Sequence, residues 1–504
     1  MRGVHSAVDD IRRGVFTEVA RLAYEGGDMS RVDLIPYKMI PGEVAHHRYD
    51  VFLERAVLKA RIRLALGMNV DIGGHLSTHI DEAVTDQKYF EAPLINVIHS
   101  ACNACPPKEV RISDNCQGCI SHPCMNVCPK DAIYLDKYKH CHIDQDKCIK
   151  CGKCVAQCPY RAISKLERPC AVACGMDAIE SDELGRAKIN YDKCVSCGMC
   201  LVNCPFGAIA DKSQIFQIIT AMKRNEEVIA CVAPAFVGQF GKDATPAKLK
   251  AAMRILGFSD VVEVAIGADL CTIQEAHDFL EEVPAKQPFM GTSCCPAWSV
   301  MAKTLFPDFK DYISMALTPM VITARMVKKD HPNARICFIG PCAAKKLEAN
   351  RRSVRSDVDF VLTFEELLGM FDAKEIDFAT LEADPEDGLN EGSGMARGFA
   401  VGGGVAAAVV EAIKHIDPDR EVLIEYGDGL RECRKMLTLA KAGKRNGYLL
   451  EGMACPGGCV AGAGTIRPVR ESTVNVANFK NEAAEESCTT SPFLDRLDEV
   501  LEEE

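Results

Sequence analysis

Cysteine spacing constrains this chain more than any other feature: 27 of its 504 residues are cysteine, and few stand alone. Three stretches lie far apart in the C-terminal half: Thr292-Ser293-Cys294-Cys295-Pro296-Ala297-Trp298, Gly340-Pro341-Cys342-Ala343-Ala344-Lys345 and Met453-Ala454-Cys455-Pro456-Gly457-Gly458-Cys459. A four-iron cluster takes about four thiolates, and these stretches offer five. Cys455 and Cys459 are four apart, so on a helix they would share one face and could serve one site. Cys294 and Cys295 are adjacent, and neighbouring side chains rarely converge on one metal. One of them is expected to be a ligand and the other a free thiol.

Upstream, Cys148-x2-Cys151-x2-Cys154-x3-Cys158-Pro159 and Cys194-x2-Cys197-x2-Cys200-x3-Cys204-Pro205 are two copies of one unit, each followed by an Ala-Ile pair. This is the bacterial ferredoxin run, in which three cysteines hold one cluster and the fourth ligates the other. The expected sets are Cys148, Cys151, Cys154 with Cys204, and Cys194, Cys197, Cys200 with Cys158. A looser pair joins Cys116-x2-Cys119-x4-Cys124-x3-Cys128-Pro129 to Cys170-x3-Cys174, with Cys102-x2-Cys105 just upstream. The same exchange gives Cys116, Cys119, Cys124 with Cys174, and Cys102, Cys105, Cys170 with Cys128. The region resembles a polyferredoxin with two to four [4Fe–4S] clusters. Cys141 is left over, and His140 and His142 beside it read as surface residues. Zinc is the plain alternative for paired CxxC units, but four cysteines per copy and the trailing proline fit the cluster run. Disulfide scaffolds are short secreted chains, so the expectation is a reduced, cytoplasmic protein. A series of clusters is a wire between a surface partner and a buried site.

The first 98 residues hold no cysteine. Helical periodicity over 8–22 and 49–66 predicts a helical segment that caps the following domain. Gly73-Gly74-His75-Leu76-Ser77-Thr78-His79 reads as a turn without chemistry. Residues 99–211 form the ferredoxin-like α+β unit and 212–504 the last domain. There, apolar runs at 227–233, 260–265, 335–340, 358–363 and 421–426 predict strands separated by helices, hence α/β layers, with function at the strand ends. Residues 398–413 read as a buried helix. No stretch reaches about 18 apolar residues without a charge, so no membrane span is expected, and Arg12-Arg13 lacks the apolar run of an export signal. A net charge of −12 argues against nucleic acid as partner. Between Lys130 and Arg168, nine Lys and Arg (130, 137, 139, 147, 150, 153, 161, 165, 168) face five Asp and Glu (131, 136, 144, 146, 167), a local excess of four. A solvated mixed surface accounts for this; the functional reading is a docking patch for an acidic electron carrier.

The three C-terminal stretches together resemble the catalytic domain of [FeFe]-hydrogenases, over residues 228–468. That resemblance implies two lobes around the H-cluster, a [4Fe–4S] cluster bridged to a two-iron site with CO, CN⁻ and dithiolate ligands, which interconverts protons and H2 (2H⁺ + 2e⁻ = H2). It implies Cys295, Cys342, Cys455 and Cys459 as ligands, Cys459 being the bridge, and Cys294 as the thiol that passes protons. Lys345 would hold a cyanide nitrogen, which suits an ammonium donor. Met453 would pack on the two-iron site, and Ala233, Pro234 and Pro319 would border it. Glu275, Ser314 and Asp278 would continue the proton relay from Cys294; Glu275 and Asp278 are three apart, on one helix face. Trp298 reads as core and Lys346 as a surface lysine. Implied partners are a ferredoxin or similar acidic carrier and dedicated maturation proteins. Gly340 stands where many members carry methionine, Ala235 where serine is common, Met320 where glutamine is common, and 460–466 lacks the usual triple glycine. The pattern resembles the divergent group B, and each swap removes bulk or a hydrogen-bond donor from around the two-iron site. Two other readings stay open. One is an iron–sulfur assembly scaffold resembling hydrogenase-like proteins, which generally lack the free thiol. The other is an H2- or redox-sensing relative, which usually carries an extra signalling domain.

Overall fold

The computed structural model describes residues 5–70, 75–77 and 93–501; Gly73, Gly74, Thr78 and His79 of the expected turn lie outside them. Both N-terminal helices form where the periodicity placed them. Helix Ala7–Glu25 starts at Ser6, whose backbone N–H donates to Asp9 Oδ2 at 3.0 Å, and helix Val51–Ala65 starts at Asp50, whose side chain accepts from the Leu53 N–H at 2.7 Å; such caps satisfy amides that the first turn leaves unpaired. Their packing differs from a simple cap on the next unit. The first helix lies on helix Phe364–Ala373 of the C-terminal domain. There Gly369 admits Phe16, since a Cβ at Gly369 would stand 2.6 Å from the Phe16 Cβ, and Arg13 Nη2 donates to Asp372 Oδ1 at 2.6 Å. The second helix buries Val57, Ala60 and Leu64 with Ile95, Leu201 and Ile209 of the cysteine-rich unit, and Arg61 donates to the Gly207 carbonyl. The segment straddles two domains because its two apolar faces find two different cores.

The cysteine-rich unit is two modules, one inserted in the other. Its strands are β1 (Ile95–Val97), β2 (Glu109–Ile112), β3 (Ile133–Leu135), β4 (Cys141–Ile143), β5 (Ile163–Leu166), β6 (Ile179–Ser181), β7 (Ala187–Ile189) and β8 (Ile209–Asp211). Antiparallel pairs β2–β5 and β3–β4 build the inner module, and β1–β8 and β6–β7 the outer one. β1 therefore belongs with the clusters although it precedes the boundary expected at residue 98. The chain leaves the outer module after Cys105, completes the inner one, and returns at Arg168. That detour is why the order of cysteines looked permuted.

The C-terminal domain holds β9 (Val228–Val232), β10 (Asp260–Glu263), β11 (Phe289–Gly291), β12 (Arg335–Gly340), β13 (Phe360–Thr363), β14 (Leu423–Asp428) and β15 (Tyr448–Met453). They form two wholly parallel sheets, β10-β9-β12-β13 and β11-β15-β14. Buried runs such as the 228–232 strand Val-Ile-Ala-Cys-Val suit strands covered on both faces. Five of the seven were predicted. β11 is too short to show a period, and the apolar run of β15 merges into the third cysteine stretch. The expected helix over 398–413 is broken at Gly403, φ 85°, and runs Gly404–Ile416. Among the described residues no helix is long and apolar enough to cross a membrane, and every cysteine is free of disulfides.

Lys346 is a core residue, not a surface lysine. Only 1% of it is exposed, and its Nζ donates to Asp211 Oδ2 (2.7 Å), Glu366 Oε1 (2.8 Å) and the Lys212 carbonyl (2.8 Å). Glu366 also closes a capping box with Thr363. The ammonium thus ties the end of β8 to both the helix after Cys342 and the helix after β13. Removing one partner from a buried charge network costs about 3–5 kcal/mol, because the remaining charges lose their compensation. Lys346→Ala is therefore expected to lower the apparent thermal midpoint markedly, whereas an unchanged midpoint would show that Asp211 and Glu366 do not depend on it.

Candidate active site and its relay of thiols

Three strands end at one place. β11 leads into Cys294 and Cys295, β12 into Cys342, and β15 into Cys455, all at the carboxyl ends of parallel strands, where ligand sites of such sheets collect. Helix Pro296–Leu305 starts directly after Cys295 and helix Ala343–Ala349 after Cys342. Backbone N–H groups therefore point at both sulfurs: those of Trp298, Ala454 and Ala297 at Cys295, and those of Lys345 and Ala344 at Cys342. Cys455 and Cys459 do not share a helix face as expected. They flank a turn in which Gly457 and Gly458 take φ of 97° and 90°, and a Cβ on Gly458 would stand 2.4 Å from the Gly402 nitrogen. Only glycine permits that close approach.

These thiols line one cavity with Cys294, Lys345, Met453, Ala233, Pro234 and Pro319, so every residue that the family resemblance placed around the cluster, apart from the relay, is found there. The donor set suits an iron–sulfur group. Cys295, Cys342, Cys455 and Cys459 enclose a space walled by apolar groups, and burial pushes the Cys342 thiol up to about 11, with Cys295 adding to it and Lys345 opposing. Such thiols stay protonated unless a metal takes them as thiolates. Lys345 Nζ donates to Thr318 Oγ1 (3.1 Å) and pairs with Glu348 Oε2 (2.7 Å), while Thr318 donates to Glu348 Oε1 (2.7 Å). Two of the three ammonium donors are thereby fixed, and the lysine is aimed by its neighbours. Sequence reasoning missed Thr318 and Glu348; the Lys-x-x-Glu spacing was the available signal.

Glu275 is fully buried on helix Ala265–Glu282. Its Oε1 accepts from the Ser293 N–H (2.8 Å) and hydroxyl (3.0 Å), its Oε2 has no partner, and burial pushes it up to about 7. Ser314 also acts on this carboxyl, lowering it, and Asp278, half-buried one turn further on, is pushed up to about 6 by burial and by Glu282 and Glu281. Burial holds the Cys294 thiol well above its ordinary value, the nearby Glu275 adding to the effect. Cys294 retains some accessible surface only because it faces the cavity. Cys294, Glu275 and Ser314 are thus adjacent, and Asp278 leads outward. Ser293, which pins Glu275, carried no signal beyond its place beside Cys294.

One expectation about bulk changes. A Cβ at Gly340 would stand 2.6 Å from Phe338 Cε1, and Phe338 itself lines the cavity. The glycine does not empty the wall; it makes room for a ring from two residues earlier. Ala235 and Met320 line the same cavity. Trp298 is core as expected: fully buried, its indole donates to the Thr292 carbonyl at 3.1 Å, and Gly452 lies flat against it.

The upstream thiols regroup. Cys128 joins Cys148, Cys151 and Cys154 around one cavity, and Cys158 joins Cys116, Cys119 and Cys124 around another. In the outer module Cys204 acts on Cys170 beside Cys102 and Cys105, and Cys174 acts on Cys200 with Cys197 and Cys194. Each set keeps the three cysteines expected of it, but its fourth member differs. Cys204 does not join Cys148, Cys158 does not join Cys194, Cys174 does not join Cys116, and Cys128 does not join Cys102. Strand pairing decides this, because β2–β5 and β3–β4 close the 116–128 run on the 148–158 run. Among the described residues no three His, Cys, Asp or Glu converge tightly enough for a single ion; the sulfurs ring spaces wider than one ion. Cys197 also lines the candidate active-site cavity and feels Cys342, so the set of Cys174, Cys194, Cys197 and Cys200 abuts it.

Arg168 leaves the expected surface patch. It is buried and donates to the carbonyls of Cys105 (2.9 Å), Glu180 (2.9 Å) and Gly185 (2.6 Å), locking the outer module where the chain returns. Lys130, Lys137, Lys139, Lys147, Lys153 and Arg161 remain exposed around the inner module, as do His140 and His142. The regrouping is checked by iron content. Cys128→Ala/Cys148→Ala is expected to lose about four irons, and Cys148→Ala/Cys204→Ala about eight; the opposite ranking would restore the pairing across modules.

The family described as iron-only hydrogenase large subunit, C-terminal domain, matches residues 226–463; a 4Fe-4S binding domain matches 142–164 and an LdpA Fe-S cluster-binding domain 164–215. Iron hydrogenase 1 of Clostridium pasteurianum is 30% identical over 67% of this chain and 67% of its own length. The periplasmic [Fe] hydrogenase large subunit of Nitratidesulfovibrio vulgaris is 30% identical over 44% and 62%. A probable cytosolic Fe-S cluster assembly factor of Aedes aegypti is 28% identical over 51% and 66%. The chain spans 52 to 67% of the length of the first hydrogenase relatives it matches. With the three cysteine stretches gathered at one cavity and the similarity running across the cluster modules, the chain belongs to the iron-only, or [FeFe], hydrogenase family.

Proposed function

We propose that the chain is a working [FeFe]-hydrogenase that interconverts protons and H2, with electrons relayed through [4Fe–4S] clusters to or from an acidic, ferredoxin-type carrier in a reducing cytoplasm. One observation supports this above others: Cys294, a thiol beyond the four needed for ligation, lines the cavity next to a buried carboxyl that has a free oxygen. An H-cluster, delivered by maturation proteins and held by Cys295, Cys342, Cys455 and Cys459, would supply the iron at which protons and electrons combine.

The chain's own residues then divide the work. Met453, Ala233, Pro234 and Pro319 exclude water from the cavity, and Lys345, aimed by Glu348 and Thr318, offers an N–H to an anionic ligand. Cys294 carries the proton on Sγ, and Glu275 exchanges it at its free Oε2. Ser314 and Asp278 hand it on towards solvent. Electrons pass the Cys174, Cys194, Cys197, Cys200 site last, since Cys197 borders the cavity. They enter at the inner module, where Cys151 is exposed among lysines that complement an acidic carrier.

The assembly-factor relatives favour a second reading, in which the clusters serve assembly and no H2 is made. Assay of H2 evolution with a low-potential donor separates the two. The matured protein should evolve H2, and Cys294→Ala should keep its iron content while losing about 10²–10⁴-fold in rate, the usual worth of a positioned proton donor. No H2 from the matured wild type would leave the assembly reading. Evolution needs Glu275 protonated and uptake needs it ionised. With its carboxyl pushed up to about 7, evolution should fall as pH rises through about 7 and uptake should fall below it. Rate profiles without that crossing would remove Glu275 from the relay.

A further inference from the structure

Cys141 was left over by every pairing. In the structure it opens β4, is 4% exposed, and its Sγ lies 3.8 Å from the Sγ of Cys124, within reach of an S–H···S hydrogen bond. It lines the same cavity as Cys116, Cys119, Cys124 and Cys158. That cavity has five thiols where a [4Fe–4S] cluster takes four. A buried cysteine is ordinarily a small apolar filler, but the inner and outer modules provide an internal comparison. Strand β4 pairs with β3 in the register Ile133↔Ile143 and Leu135↔Cys141, and β7 pairs with β6 in the register Ile179↔Ile189 and Ser181↔Ala187. Ala187 holds the position equivalent to Cys141, so a methyl group suffices to fill it. The thiol is an addition to one module only.

We propose that Cys141 is a reserve ligand of the cluster held by Cys116, Cys119, Cys124 and Cys158. The inference rests on that cavity holding a [4Fe–4S] cluster. With Cys124 in place, the Cys141 S–H donates to the Cys124 sulfur. Hydrogen bonds to cluster sulfurs stabilise the more negative, reduced state and raise its potential. When Cys124 is missing, Cys141 releases its thiol proton to solvent and its Sγ forms the Fe–S bond that Cys124 no longer makes. No electron changes hands in that substitution. Cys116 also acts on Cys141, but the 3.8 Å contact is with Cys124, which makes Cys124 the residue replaced.

The full-length protein, isolated anaerobically with its clusters, provides the test through iron content and the electron paramagnetic resonance of the reduced form. Cys119→Ala, which has no spare thiol, should lose about four irons. Cys124→Ala should retain them, and Cys124→Ala/Cys141→Ala should lose them. Equal loss in Cys119→Ala and Cys124→Ala would overturn the reserve role. No loss in Cys119→Ala would instead remove the cluster from this cavity. Cys141→Ala keeps all four ordinary ligands and decides the matter even where Cys124→Ala does not fold. Its cluster should keep full iron and titrate at a lower potential than the wild type, and an unchanged potential would rule out the hydrogen bond on which the reserve position depends.

Discussion

Everything in the C-terminal domain depends on parallel strands ending together. β11 and β15 belong to one sheet and β12 to the other, and their carboxyl ends open into the space between the sheets. Residues separated by more than 150 positions in sequence meet there, without the chain having to fold a loop into the core. Glycines on and behind the cavity wall allow close approach: Gly458 to the backbone of Gly402, Gly340 to the ring of Phe338, Gly452 to the indole of Trp298. Polar groups inside it are held by dedicated partners, as Glu348 holds Lys345 and Ser293 holds Glu275. A buried charge or acid kept this way is expensive alone and stable in its network.

The second constraint is continuity between cluster modules and cavity. Insertion of one module in the other leaves the two thiol sets of the inner module apart from the C-terminal cavity, while Cys197 of the outer module is common to its own set and the cavity wall. The Lys346 network joins the end of β8 to the helix that begins after Cys342, so buried charge fixes the outer module to the element that carries one cavity thiol. The N-terminal segment reinforces the junction from the other face, its first helix on the C-terminal domain and its second reaching both cores.

How much of this the sequence disclosed follows the range of the interactions. Local motifs were legible: the three cysteine stretches, the cysteine triplets of each upstream set, both N-terminal helices and five of seven strands. Choices settled by distant pairing were not. The fourth thiol of each site follows from β2–β5 and β1–β8 pairing, which no spacing rule encodes. Lys346 and Arg168 look like surface cations because their partners, Asp211 and Glu366 in one case and three carbonyls in the other, lie far off in sequence or on the backbone. Gly340 suggested lost bulk because the compensating ring of Phe338 leaves no trace in a one-position comparison. The irregular place of Cys102 and Cys105 became intelligible only once the outer module was seen to be interrupted.

The central claim is that this cavity holds a two-iron site and turns over H2. Infrared spectroscopy of protein made anaerobically with the hydrogenase maturation machinery tests it most directly, because CO and CN⁻ stretching bands fall where polypeptide is silent. The account predicts such bands and their shift under H2. Their absence, with maturation verified on a control hydrogenase, would contradict it.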